Sequence, residues 1–313
     1  MNHRLTAYAL LLLVSVIWGV AGPVIKFTLG YFPPLVFLLY RLGLSSLVTV
    51  GIFIIKPAHI RWTIKGVGFI FFHSVFAIVL GLGLLFLGFD KTTSLTGVLI
   101  TSTGPIMVAI AGALFLHEHI TKYERIGIGI ALIGTLIVTI APIVNGAETK
   151  LVSLSGNLLI IGSLVVDTVG SVIAKEALRH RIPAWILVNT SFLIGFLILL
   201  PLVTATTPLS TLFSTISTAP IQAHFGVWYM ALLSGTTAYT LQLIAMRSIE
   251  LSEVAVFNYL FPIWAAPLAL FWLGEKITLP FIIGAAVIAT GVVIAEHKRR
   301  QKKQKRQSSK RKK

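Results

Sequence analysis

Two charged side chains interrupt apolar stretches of this 313-residue chain: Asp167, near the middle of one, and Arg41, about two turns inside another. At the depth of a bilayer such a charge costs about 2.5–3.5 kcal/mol on insertion scales, so it turns toward protein or water. Two readings fit. As a cavity pair, Arg41 binds the carboxylate of a small-molecule substrate and Asp167 binds an amine or a proton. As a structural pair, the two neutralise each other, or Arg41 snorkels to the outer interface. His73, alone in its apolar stretch, is a proton relay beside Asp167 or a packed histidine bonded to a backbone carbonyl.

A second pattern joins polar side chains to prolines. Thr101 and Pro105 are spaced i, i+4, and so are Asn258 and Pro262. At helical pitch each polar group shares a face with a proline that frees a carbonyl one turn back. Freed carbonyls at membrane depth must face protein or water, so two polar helix-kink stripes lining a central cavity satisfy the demand. Gln242 and Tyr259 are expected beside them, with Trp18, mid-helix, as a wall of the cavity or a packing residue. With no cysteine, eight scattered histidines and no glycine-rich phosphate loop, the residues point to no metal, no cofactor and no direct ATP drive.

Composition dictates what must position these groups. The chain is 56% hydrophobic and 12% charged, with a mean hydropathy of +0.92. Soluble domains carry about 25% charged residues, so this one has too little polar surface to clothe a water-facing globule. Ten stretches are long and apolar enough to span a bilayer: 5–26, 35–55, 66–88, 95–116, 124–143, 156–176, 184–204, 226–247, 252–273 and 277–295. The expected fold is therefore an all-α polytopic membrane protein.

Charge gives its orientation. Eleven of the 26 basic residues lie in a tail, 298–313, too charged to fold and suited to anionic lipid headgroups; no base-reading residue accompanies it to suggest nucleic acid. With the N-terminus placed in the cytoplasm, inner segments gather Arg4, Lys56, Arg61, Lys65, Lys122, Arg125, Lys175, Arg179, Arg181 and Arg247. Outer ones hold Lys26, Lys91, Lys150 and Lys276. The bias places both termini in the cytoplasm of a cell with this protein in its plasma (inner) membrane. The longest connection, 205–225, has no Lys or Arg and falls outside.

The chain also repeats itself. Shifted by 149 residues, Lys26 meets Lys175 and Pro34 meets Pro183; shifted by 157, Pro105 meets Pro262, Glu118 meets Glu275, Thr121 meets Thr278, Gly127 meets Gly284 and Gly134 meets Gly291. Repeats occupy 1–144 and 156–297, joined by an extracytoplasmic linker at 145–155. Five helices is an odd number, so the second copy enters from the opposite side and the halves are inverted. Asp167 matches Trp18 and Arg41 matches Thr190, so the charged pair breaks the symmetry. Glu118 and Glu275 read as helix-end caps and Lys26 and Lys175 as anchors. Small residues of the fifth and tenth helices either close the fold within a protomer or build a homodimer interface.

This layout, with Trp18-Gly19, Arg41, the Pro105 and Pro262 helices and Gly-Glu-Lys-Ile-Thr at 274–278, resembles the EamA-type branch of the drug/metabolite transporter superfamily over residues 5–296. The first copy departs from the motif with His117 in place of glycine. The resemblance implies a secondary transporter, an exporter of amino acids or other small organic metabolites, alternating around a midplane cavity. The competing classes are a membrane-embedded enzyme, which needs clustered ligands or a nucleophile–base pair, and a receptor or structural protein with a dry interior. A C-terminal topology reporter is expected to read as cytoplasmic; an external readout overturns the orientation.

Overall fold

The computed structural model describes residues 3–55, 63–115, 122–144, 153–249, 254 and 256–294. Glu118, Thr121, most of the 145–155 linker and the basic tail lie outside them. Every regular element among the described residues is helical. α1 (His3–Leu29) and α2 (Pro34–Ile55) are followed by a rod made of α3 (Ile64–His73), a wide π-helical stretch (Ser74–Gly81) and α4 (Leu82–Asp90). Then come α5 (Ser94–Thr101), α6 (Gly104–Phe115), α7 (Lys122–Val144), α8 (Leu154–Arg179) and α9 (Ala184–Thr204). Beyond α10 (Leu209–Thr218), a second rod joins α11 (Ile221–Trp228), a wide stretch (Tyr229–Thr237) and α12 (Ala238–Met246). A 3-10 turn (Val256–Leu260) leads into α13 (Phe261–Phe271), and a last helix, α14, runs Leu279–Ile294.

Long apolar runs make these helices, and side-chain caps begin several. Thr63, Thr93 and Ser153 accept hydrogen bonds from the amides of Gly66, Thr96 and Gly156, opening α3, α5 and α8. Among the described residues five helices are long and apolar enough to cross a membrane: Arg4–Leu29, Pro34–Ile55, Ile64–Asp90, Leu154–Arg179 and Ala184–Thr204. Elsewhere the expected spans are shorter or interrupted. The stretch 95–116 breaks at Ser102-Thr103, and 252–273 contains the 3-10 turn. The 205–225 connection holds α10, which sequence reading passed over. Leu209, Leu212, Phe213 and Ile216 keep a helical stripe there, hidden among Ser and Thr of low helix propensity.

α2 packs on its repeat equivalent α9, and two other contacts mirror each other across the repeats, α4 on α8 and α12 on α1; α13 packs on α1 and α5. α7 meets α14 through small residues: a Cβ built on Gly134 would sit 2.9 Å from the Gly284 carbonyl oxygen, and one on Gly291 would sit 2.6 Å from that of Gly127. This close approach uses the small-residue stripe inside the protomer.

The paired lysines have paired work. Lys26 Nζ donates to the carbonyls of Phe89 (3.0 Å) and Asp90 (3.1 Å), at the end of α4. Lys175 Nζ donates to Met246 O and, at 2.9 Å, to Ile249 O, beyond the end of α12. The lysines are related by the 149 shift and their acceptors Phe89 and Met246 by the 157 shift, so both repeats close a helix C-terminus with a cation. Glu275 caps too. Gly274, at φ 64°, turns the chain out of α13, and the Glu275 carboxylate accepts from the amides of Ser94 (2.6 Å) and Leu95 (2.9 Å) at the start of α5.

Gly134→Val forces a side chain into the α14 backbone, an overpacking that costs about 1–3 kcal/mol. It is expected to lower the melting temperature in detergent clearly, whereas Gly129→Ala, on the same helix with no neighbour within 4 Å, leaves it unchanged.

Candidate functional site

The two wide helical stretches create the site. Shifted by 157, Ser74–Gly81 covers 231–238, so both repeats depart from α-helical pitch at the same place. Wide turns release carbonyls from the regular ladder and are frequent at functional sites. In the second repeat two partners take up released carbonyls: Ser45 Oγ donates to Ala231 O at 3.2 Å and Trp18 Nε1 to Ser234 O at 2.9 Å. Between the two stretches lies a cavity of about 160 Å³, bounded by α1, α2, α5, α6, α8, α12 and the 3-10 turn as well.

Trp18, Arg41, His73, Thr101, Asp167, Gln242 and Asn258 all line this one cavity. Trp18 serves as wall. Its N–H is committed to Ser234, and its ring meets Tyr239 edge-on at 5.0 Å and Phe261 at 6.3 Å. The His73 imidazole pairs through Nδ1 with Ser191 Oγ at 2.9 Å, a side chain on α9 rather than the expected backbone carbonyl. Thr101 donates to Val98 O at 2.9 Å, presenting its oxygen and methyl to the cavity wall. Asn258 Nδ2 would lie 3.3 Å from a Cβ on Gly104, so the absence of a side chain at Gly104 lets the second repeat's amide reach the first repeat's helix.

Pro105 and Pro262 differ from expectation in kind. Each stands in the first turn of its helix, α6 or α13, rather than kinking a continuous one, and neither lines the cavity. Proline suits that place because a first-turn amide has no intrahelical acceptor. The carbonyls at the end of α5 are satisfied locally by consecutive hydroxyls: Thr101 to Val98, Ser102 to Leu99 at 2.7 Å and Thr103 to Ile100 at 2.6 Å. Tyr259 is not among the lining residues.

Arg41 is 1% exposed, so it does not snorkel. Its Nε, Nη1 and Nη2 have no hydrogen-bond partner, and its Cζ lies 5.7 Å from the centre of the Phe86 ring. Asp167 makes no ion pair with it within 4.0 Å, so the structural-pair reading does not hold here. Tyr239 lines the same cavity as both charges. Tyr239 was not legible as a site residue, although it precedes Gln242 by three positions and so shares its helix face. Ser163 and Ser234 join the lining without any sequence signal. Unlike charges facing one small cavity without touching are an arrangement for holding a polar solute.

An all-helical, apolar bundle with a polar cavity between two repeats defines an integral membrane protein built like a transporter. The EamA-like transporter family model matches residues 5–140 and 154–295, one match per repeat, and the chain belongs to that family. It is 26% identical to the uncharacterized transporter YyaM of Bacillus subtilis, over 94% of each chain. It is 24% identical to a protein of Salmonella typhimurium described as "Probable amino-acid metabolite efflux pump", covering 91% of this chain and 93% of that one. A solved crystal structure shares the fold, with a TM-score of 0.67 at 15% identity, over 93% of this chain and 97% of the other.

Because the chain has no cysteine, single substitutions report on the cavity directly. Asp167→Cys and Asn258→Cys are expected to react with a small charged thiosulfonate reagent. Val165→Cys, on the outward face of the same helix as Asp167 and 49% exposed in the absence of lipid, is expected to stay unreactive in membranes. Equal labelling of all three argues against a water-filled cavity.

Proposed function

We propose that the protein is a secondary active exporter of amino acids or other small organic metabolites, working by alternating access. In this reading the chain crosses the plasma membrane ten times, α5–α6 and the 3-10 turn with α13 each counting as one broken span. Its five-helix halves are inverted, and both termini lie in the cytoplasm. The observation that carries the proposal is the cavity between the repeats, lined from both halves and holding an arginine and an aspartate that do not pair. Its volume, about 160 Å³, lies below the 300–1,000 Å³ of pockets for drug-sized ligands, which suits one small metabolite. The Salmonella relative, described as a probable amino-acid metabolite efflux pump, supports the amino-acid class.

Discontinuous helices at midplane recur in secondary transporters because their ends present backbone groups to a solute. Here the α6 and α13 N-termini, with Thr101 and Asn258 beside them, are assigned that task. Trp18 and Gln242 complete the wall, while Asp167 and His73 are the proton-coupling candidates. Flux of a metabolite panel in proteoliposomes, with and without a pH gradient, tests the proposal. Accumulation driven by a gradient is expected; a protein that moves no solute under any gradient is not a transporter. Asp167→Asn is expected to abolish the pH dependence, and an unchanged profile removes Asp167 from coupling.

A further inference from the structure

The Arg41 guanidinium presents a chemical problem that no other side chain among the described residues solves. Its three nitrogens are each buried and unpartnered. The Phe86 ring covers a face of the planar ion, but a π cloud leaves the in-plane N–H donors without acceptors. Position accounts for the isolation. Arg41 lies seven residues into α2, about 10 Å from its start at helical rise, and its side chain is buried rather than snorkelled to the outer interface. Its surroundings are the wide stretch of the second repeat, where a Cβ on Gly235 would sit 3.5 Å from Nη2 and equally close to Ser45 Oγ. Ser45 spends its only O–H on Ala231 O, and none of its lone pairs takes a hydrogen bond from the arginine. Thr190, the repeat equivalent, keeps an unpartnered hydroxyl but does not line the cavity.

We infer that Arg41 is a carboxylate receptor and that the solute held in the cavity must carry a carboxylate, with the Tyr239 phenol beside it. This rests on the transporter reading for its purpose but not for its chemistry. A guanidinium edge presents two parallel N–H donors that match the two oxygens of a carboxylate, which a spherical halide cannot do. One arginine balances one negative charge, so a monoanionic carboxylate fits better than a phosphate dianion. Asp167, on α8 in the same lining, sets the polarity: the acid end of the solute turns toward α2, and an amine end, where there is one, toward α8.

A buried charge without a partner burdens the protein that carries it, and replacement by an apolar group of similar volume relieves the burden. A structural arginine behaves oppositely. Thermal unfolding of the full purified chain in detergent, at constant ionic strength, separates the two. The probes are formate and acetate, the smallest carboxylates, with chloride, phosphate and methylammonium for comparison. Formate and acetate are expected to raise the melting temperature in proportion to dose, and the other ions not to. Arg41→Met is expected to melt at or above the wild-type temperature without ligand and to need about tenfold to hundredfold more acetate for the same shift, the loss of a charge-assisted pair. A lower melting temperature for Arg41→Met, a failure of that variant to fold, or equal shifts from chloride or methylammonium overturns the inference. So does the absence of any shift with formate and acetate. In proteoliposomes, unaltered flux through Arg41→Met overturns the receptor while leaving the transporter; no flux through wild type overturns the transporter while leaving the receptor.

Discussion

In hydrocarbon every backbone amide and carbonyl must find its partner inside the protein, and this fold is organised by how it meets that demand where its helices are irregular. Regular helices meet it by themselves. The interruptions at Ser102-Thr103, at Val256–Leu260 and in the two wide stretches do not, and each gathers polar side chains around itself. Consecutive hydroxyls of Thr101, Ser102 and Thr103 close the end of α5. Trp18 and Ser45 reach across from the first repeat to carbonyls of the second. Part of the polar lining thus follows from broken backbone regularity near the centre of the bundle, and to it the unbroken α2 and α8 add Arg41 and Asp167.

Duplication explains why the breaks converge. Elements equivalent by repeat pack together, α2 on α9 and α7 on α14, so an irregularity fixed in one copy has its counterpart across the same interface. The same symmetry governs the ends of helices, where Lys26 and Lys175 close α4 and α12. Function then requires symmetry to be broken. Trp18 and Asp167 occupy equivalent places yet supply a wall and a charge, while Arg41 and Thr190 supply a cation and a neutral hydroxyl. The common frame provides two similar halves; the unlike side chains give the cavity its direction.

Much of this was legible from residue order. Hydropathy located the helices and the shifts of 149 and 157 located the duplication, because both are statements about period and composition. Arg41, His73, Asp167 and Trp18 stood out by their depth, and Thr101 and Asn258, with Gln242 as companion, by their spacing to a proline; all seven share one cavity. Three features were hidden for distinct reasons. The wide stretches carry no signal, since SVFAIVLG reads as ordinary apolar helix. Pro105 and Pro262 look alike whether they kink a helix or begin one. Tyr239 is unremarkable in sequence, and only the packing of α12 against α1 and α9 brings its ring beside Trp18 and Phe192.

The cavity places the costly charge and the irregular backbone together, and this bears on how such a protein can move. Regular, well-packed helices such as α7 and α14, locked by glycine contacts at Gly134 and Gly291, resist sliding because backbone meets backbone. Wide turns and helix breaks resist less, since their hydrogen bonds run to side chains that can exchange partners. Trp18, bonded to Ser234 and stacked against Tyr239, links the wall of the cavity to the wide stretch that also borders Arg41. Under the proposed alternating access, a solute that neutralises Arg41 would act where, among the described residues, an unpartnered charge borders a wide helical stretch, and the glycine-locked pair would serve as the fixed frame.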